Sequence, residues 1–99
     1  MKELILTAEI VFLEAAKDSF NFPIKNSIRL SFWLPDQDKS TFSEIQIENR
    51  SIEIGTTEIV EILLAERDYL FSKINIGTNF KMGVFPKIIA TGKVIDVRY

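Results

Sequence analysis

The pattern nearest to a ligand site is Asp36-x-Asp38-x-Ser40, which opens like a calcium-binding loop. Such a loop next needs a glycine for its sharp turn and, at its end, a bidentate glutamate. Those two positions hold Thr41 and Ile47 here, so the acids read as solvated turn residues. Glu44, Glu48, Glu58 and Glu61 supply carboxylates of the kind that work in acid–base pairs. Each stands among apolar residues in alternation, the pattern of outward-facing acids on strands. No Ser-x-x-Lys occurs. Histidine and cysteine are both absent, which removes the commonest general base, the commonest metal ligand, thiolate sites and disulfides. The glycines are Gly55, Gly77, Gly83 and Gly92, and no two have the spacing of a phosphate-cradling Gly-x₄-Gly-Lys loop. The expectation is a protein with no catalytic residues, no metal, no nucleotide and no cofactor.

Two clusters point to binding instead. Arg29, Ser31 and Trp33 share the face opposite the apolar side of their strand. An arginine beside a tryptophan is the composition of a contact hot spot, and the indole is also able to stack a base. The bland account is that Trp33 covers a barrel end or packs beneath a loop. Val84 and Phe85 fall in Gly83-Val84-Phe85-Pro86, a turn of unusual apolarity. An apolar turn tip is covered either by the 14–27 loop or by a partner, and composition does not separate the two.

The elements that position these residues are mostly strands. Leu4, Leu6, Ala8, Ile10 and Phe12 repeat every second residue. Ile28, Leu30, Phe32 and Leu34 do the same, and so do Ser43, Ile45 and Ile47. Turns are expected at Pro35-Asp36-Gln37-Asp38 and Asn49-Arg50, with Ile52 and Ile54 alternating afterwards. Residues 14–27 lack a clean period and read as a long loop packed down by Phe20, Phe22 and Ile24. Residues 57–71 are ambiguous: Val60, Ile62 and Leu64 fit a strand, whereas Ile59, Ile62, Leu63 and Leu70 fit a helix, which Ala65-Glu66-Arg67 favours. Phe80 and Met82 alternate with Asn79 and Lys81, and 88–97 form a last strand rich in β-branched residues. Short strands between turns predict an all-β barrel or sandwich spanning 1–99 as one domain.

The chain resembles the third, C-terminal domain of elongation factor Tu. Gly77-Thr78-Asn79-Phe80-Lys81-Met82, then Lys87-Ile88-Ile89-Ala90-Thr91-Gly92-Lys93-Val94, is similar to that family's Gly-x-x-Phe-x-Ile, a turn, then Arg/Lys-x-Val/Ile-Gly/Ala-x-Gly-x-Val. Leu6-Thr7-Ala8-Glu9-Ile10 resembles its opening strand with Ala-Glu-Val. Pro23-Ile24 and Ile28-Arg29-Leu30-Ser31-Phe32 resemble its Pro-Phe and Tyr-Arg-Pro-x-Phe. Ile54-Gly55 and the apolar run 59–64 sit where it has Pro-Gly-Asp and the next strand. The resemblance spans nearly the whole chain at low identity. It implies a closed six-stranded antiparallel barrel standing alone. The family's Arg-Glu-Gly-Gly turn is Gly83-Val84-Phe85-Pro86 here, its Gly-Gly-Arg is replaced by Ser19-Phe20-Asn21-Phe22, and the proline of its Arg-Pro is Leu30. These changes fall on the turns that would carry a grip on transfer RNA or translation partners. The likeness thus carries a fold expectation more than a role.

Charge and composition set the remaining bounds. The net charge is −2, not the basic excess that phosphate neutralisation favours. A 46% apolar content with eight phenylalanines is enough for a real core. Glu3, Glu9 and Glu14 interrupt the first apolar run, so it makes a poor signal peptide, and no stretch reaches the roughly 20 apolar residues of a membrane helix. The expectation is a cytoplasmic, non-enzymatic interaction module. Val84, Phe85, Arg29 and Trp33 would meet a protein partner or a second copy. The alternative is a nucleic-acid binder whose basic patch combines Lys81, Lys87, Lys93 and Arg29.

Overall fold

A computed structural model describes residues 3–37, 39–47, 51–65 and 73–98. Six strands close into an antiparallel barrel: β1 (Glu3–Phe12), β2 (Ile28–Trp33), β3 (Thr41–Gln46), β4 (Glu58–Ala65), β5 (Asn79–Val84) and β6 (Lys87–Arg98). The order around the barrel is β1-β4-β3-β2-β5-β6. Closure leaves no sheet edge running the length of the molecule. Among the described residues no helix is long and apolar enough to cross a membrane.

The period-two pattern is what the barrel uses. Leu4, Leu6, Ala8, Ile10 and Phe12 all point inward and are buried, as are Val60, Ile62 and Leu64 on β4. Phe32 and Phe80 stack at 4.8 Å between centroids in the middle of the core. Glu58–Ala65 is therefore a strand, paired along its whole length with β1. The helical alternative fails there because Ile59 and Leu63 lie on the outer face instead of joining an inward stripe. The remainder of that ambiguous segment, with Glu66, Arg67 and Leu70, lies outside the described residues. So do Asp38, Glu48 and the Asn49-Arg50 turn.

The 14–27 loop contains a short 3-10 helix, Glu14–Asp18, which buries Ala16. Ile24 is buried, and Phe20 and Phe22 pack partly against the core. Phe22 meets Phe12 edge-on at 5.5 Å. Ile24 and Ile52 exchange two backbone hydrogen bonds of 2.9 Å, which ties the loop to the segment before β4. Ile52 and Ile54 make isolated bridges and not the strand their alternation predicts.

Two glycines set strand spacing. A side chain on Gly92 would reach within 2.5 Å of the Glu9 backbone oxygen, so β1 and β6 approach as closely as they do only because it is absent. At Gly83 a Cβ would lie 2.1 Å from the Lys87 carbonyl oxygen. Here β5 and β6 shift register between Met82 and Gly83, a bulge just before the hairpin turn. Gly83 and Val84 thus belong to β5, and the turn itself is confined to Phe85 and Pro86. This corrects the expectation of a four-residue turn: the bulge carries the strand two residues further than the Gly-to-Pro punctuation suggests.

Candidate functional site

β2 runs between β3 and β5 and is antiparallel to both. Ser31 faces Phe42 on one side and Gly83 on the other. Arg29 faces Glu44, and Trp33 faces Lys81. By alternation from the buried Leu30, Phe32, Ile45 and Met82, the side chains of Arg29, Ser31, Trp33, Phe42, Glu44 and Lys81 lie on the outer face, while Gly83, past the bulge, contributes only backbone there. The outer face is thereby a small grid centred on Ser31.

Relief on this grid follows from side-chain size. Phe42 is 77% exposed and stands up from its strand. Ser31 and Gly83 beside it are small, so an open recess of about 740 Å³ forms over them. Phe42, Leu63, Ala65 and Val84 give the recess apolar walls, while Arg29 and Glu44 supply its charges. Arg29 Nε donates to Glu44 Oε2 at 3.2 Å. The Gln46 amide also donates to Glu44, and these two hydrogen bonds, Gln46's first, hold the Glu44 carboxyl below the usual glutamate range. Beneath the recess the Ser43 hydroxyl donates to the Leu30 carbonyl at 2.7 Å, which satisfies a buried polar group at the β2–β3 seam.

The residues singled out from sequence divide. Arg29 is exposed and Val84 is 60% exposed, both at the recess. Trp33 is not available to a partner: it is only 5% exposed. Phe85 is one of its covers, its ring meeting Trp33 edge-on at 5.0 Å. Phe85 itself stays 37% exposed. The apolar turn is thus partly covered: Phe85 packs against the outer tryptophan, Lys87 just after it pairs with Asp18 of the 14–27 loop, and Val84 remains in solvent.

The four cations grouped as a basic patch do not gather at one place: Lys81 and Lys93 line one shallow recess across β5 and β6, apart from the ion-paired Lys87 and Arg29. Lys87 Nζ sits 3.5 Å from Asp18 Oδ2, and Arg29 is held by Glu44. Lys93 lies across from Glu9 on β1 and Asn79 on β5. Lys81 lies across from Trp33 and Thr91. Among the described residues, no three acidic side chains are grouped to hold a metal ion.

Phe42 and Leu63 escaped sequence reasoning although a signal existed. The inward alternation of Ser43, Ile45 and Ile47 puts position 42 on the outer side, where Glu44 and Gln46 follow it. A phenylalanine in that phase is an apolar residue on a polar face. No protein-family model matches the chain, and no curated protein does either.

Proposed function

We propose that this chain is a non-enzymatic interaction module, a barrel of the elongation factor Tu third-domain type that binds protein through the β3-β2-β5 face. The observation that carries the reading is Phe42, 77% exposed beside an apolar-walled recess on an otherwise closed barrel. An exposed aromatic with an arginine at its flank is the composition of a binding hot spot. The sharing of charges among Arg29, Glu44, Lys87 and Asp18 favours a protein partner over a phosphate backbone. The barrel type rests on the Gly77–Val94 resemblance, in which Gly92 occupies a position where no side chain fits. On this reading the protein acts in the cytoplasm.

Parallel affinity capture with the wild-type chain and with Phe42→Asp tests it. A discrete protein, or untagged copies of the chain, should be retained by the first and lost by the second. Identical recovery by both rejects the face. Phe85→Asp is the poorer probe, because it also strips the cover from Trp33.

A further inference from the structure

We infer that the barrel has a built-in opening line, the seam between β2 and β5, held shut by aromatic side chains more than by backbone.

The seam is short because the chain stops it at both ends. β2 and β5 pair only at Ser31–Gly83, Phe32–Met82 and Trp33–Lys81. Directly across the barrel, β1 pairs with β4 without a break from Glu3–Ala65 to Ile10–Glu58. The Val94 N–H donates to the Thr78 carbonyl, which turns the even-numbered residues of β5 toward β6 and leaves Lys81 and Gly83 to bond β2. Hydrogen-bonded pairing between the two strands is thereby confined to Trp33–Lys81 and Ser31–Gly83. The next such pair in one direction would be Pro35 with Asn79, and Pro35 has no N–H to give. In the other direction it would be Arg29 with Phe85, and Phe85 already belongs to the β5–β6 turn.

Two aromatic pairs bridge the same line. Inside the barrel, Phe32 of β2 stacks on Phe80 of β5 at 4.8 Å. Outside it, Trp33 of β2 meets Phe85, just past the end of β5, edge-on at 5.0 Å. The Phe12–Phe22 pair, by contrast, joins β1 to the 14–27 loop. Where backbone pairing is shortest, rings therefore clamp the strands from both faces. Parting the clamps frees β2 from β5 while every other strand pair stays bonded, so the barrel becomes an open six-stranded sheet. That step breaks few hydrogen bonds and exposes less surface than unfolding, so it occurs ahead of global unfolding as a cooperative unit of its own. Ser31 and Gly83 also line the outer recess, so the recess belongs to the closed form. The seam is thus a conformational device that makes or removes the candidate docking surface.

Native-state hydrogen exchange tests this, followed by NMR at urea concentrations below the unfolding transition and where reclosing outruns exchange. The amides of Ser31, Trp33, Lys81 and Gly83 should be at least about tenfold less protected than those of Leu6 and Ala8 in the middle of β1. Their urea dependence should be smaller than that of the β1 amides but not zero, because a parted seam exposes part of the core. Phe85→Ala should speed the four seam amides by about fivefold or more, since the clamp it removes holds only the closed form. Val60→Ala alters β4 across the barrel, where packing against β1 survives the opening. It should speed Leu6 and Ala8 and leave the seam amides unchanged. Circular dichroism checks that both variants keep their strands. Seam amides with the protection and urea dependence of β1 would mean that global unfolding is the only opening, which overturns the proposal. Low protection with no urea dependence overturns it as well, because it reports fraying without a parted seam. So does a folded Val60→Ala variant that speeds the seam and β1 amides equally.

Discussion

Phe85 stands edge-on to Trp33, their ring centroids 5.0 Å apart and their planes at 88°. The contact joins the β5–β6 turn to the outer face of β2, outside the barrel's contiguous core. Edge-to-face pairs contribute about 0.5–1.5 kcal/mol beyond the area they bury. Phe85→Ala should lower unfolding free energy by about 1–2 kcal/mol in a urea titration. Trp33 is the chain's one tryptophan, so its emission reports the site alone. That emission should move to longer wavelength and become more open to acrylamide quenching. An unchanged spectrum would show that Phe85 does not cover the indole.

The glycines separate close approach from backbone conformation. Gly92→Ala pushes a methyl against the Glu9 backbone oxygen and the Phe80 ring, and Gly83→Ala against the Lys87 carbonyl. Backbone has little room to give, so each should cost about 1–3 kcal/mol or more, as overpacking does. Gly55 has φ of 79° and nothing within 4 Å of a built Cβ, so its cost is conformational only, about 1 kcal/mol. Thermal melts of the three alanine variants should rank Gly55→Ala mildest.

The inward half of this barrel was legible because alternation is a local signal. Leu4 to Phe12, Leu30, Phe32, Val60, Ile62, Leu64, Phe80 and Met82 are buried in the phase the sequence predicts. Closure and strand order were not readable from alternation, since pairing β1 with β4 and β6 joins residues far apart in the chain. The outer face was legible only in part. Arg29 lies exposed on the outer face, and Val84 is exposed where the sequence left its cover open, but Trp33 is buried with Phe85 from another hairpin packed against it. Phe42 was overlooked because a single apolar residue out of phase looks unremarkable until Ser31 and Gly83 are known to flank its row.

Phe32 and Phe80 make the central stack, 4.8 Å between centroids and 27° between planes. Both rings are essentially inaccessible to solvent. Phe80→Ala removes one face of that stack and leaves a cavity between β5 and β2, which should cost about 3–5 kcal/mol. Phe80→Leu keeps most of the volume and should cost markedly less. Chemical denaturation of both variants checks the order, and equal losses would place the stack outside the energetic centre of the core.

Glu44 gives the pH response a direction. The Gln46 amide and then Arg29 lower its pKa in the folded chain below the ordinary glutamate value. A carboxylate with a lowered folded pKa stabilises the fold above its unfolded pKa, near about 4.3, and loses that contribution as pH falls through the lowered folded value. Glu44→Gln should therefore narrow its stability gap from wild type as the pH drops through and below that point, and keep the full gap at neutral pH. Titration of the Glu44 carboxyl by NMR, in dilute samples, resolves the two causes. Gln46→Ala should raise the pKa more than Arg29→Ala does, because the amide hydrogen bond is the larger influence. The reverse order would mean that the guanidinium, not the amide, fixes the charge beside the recess.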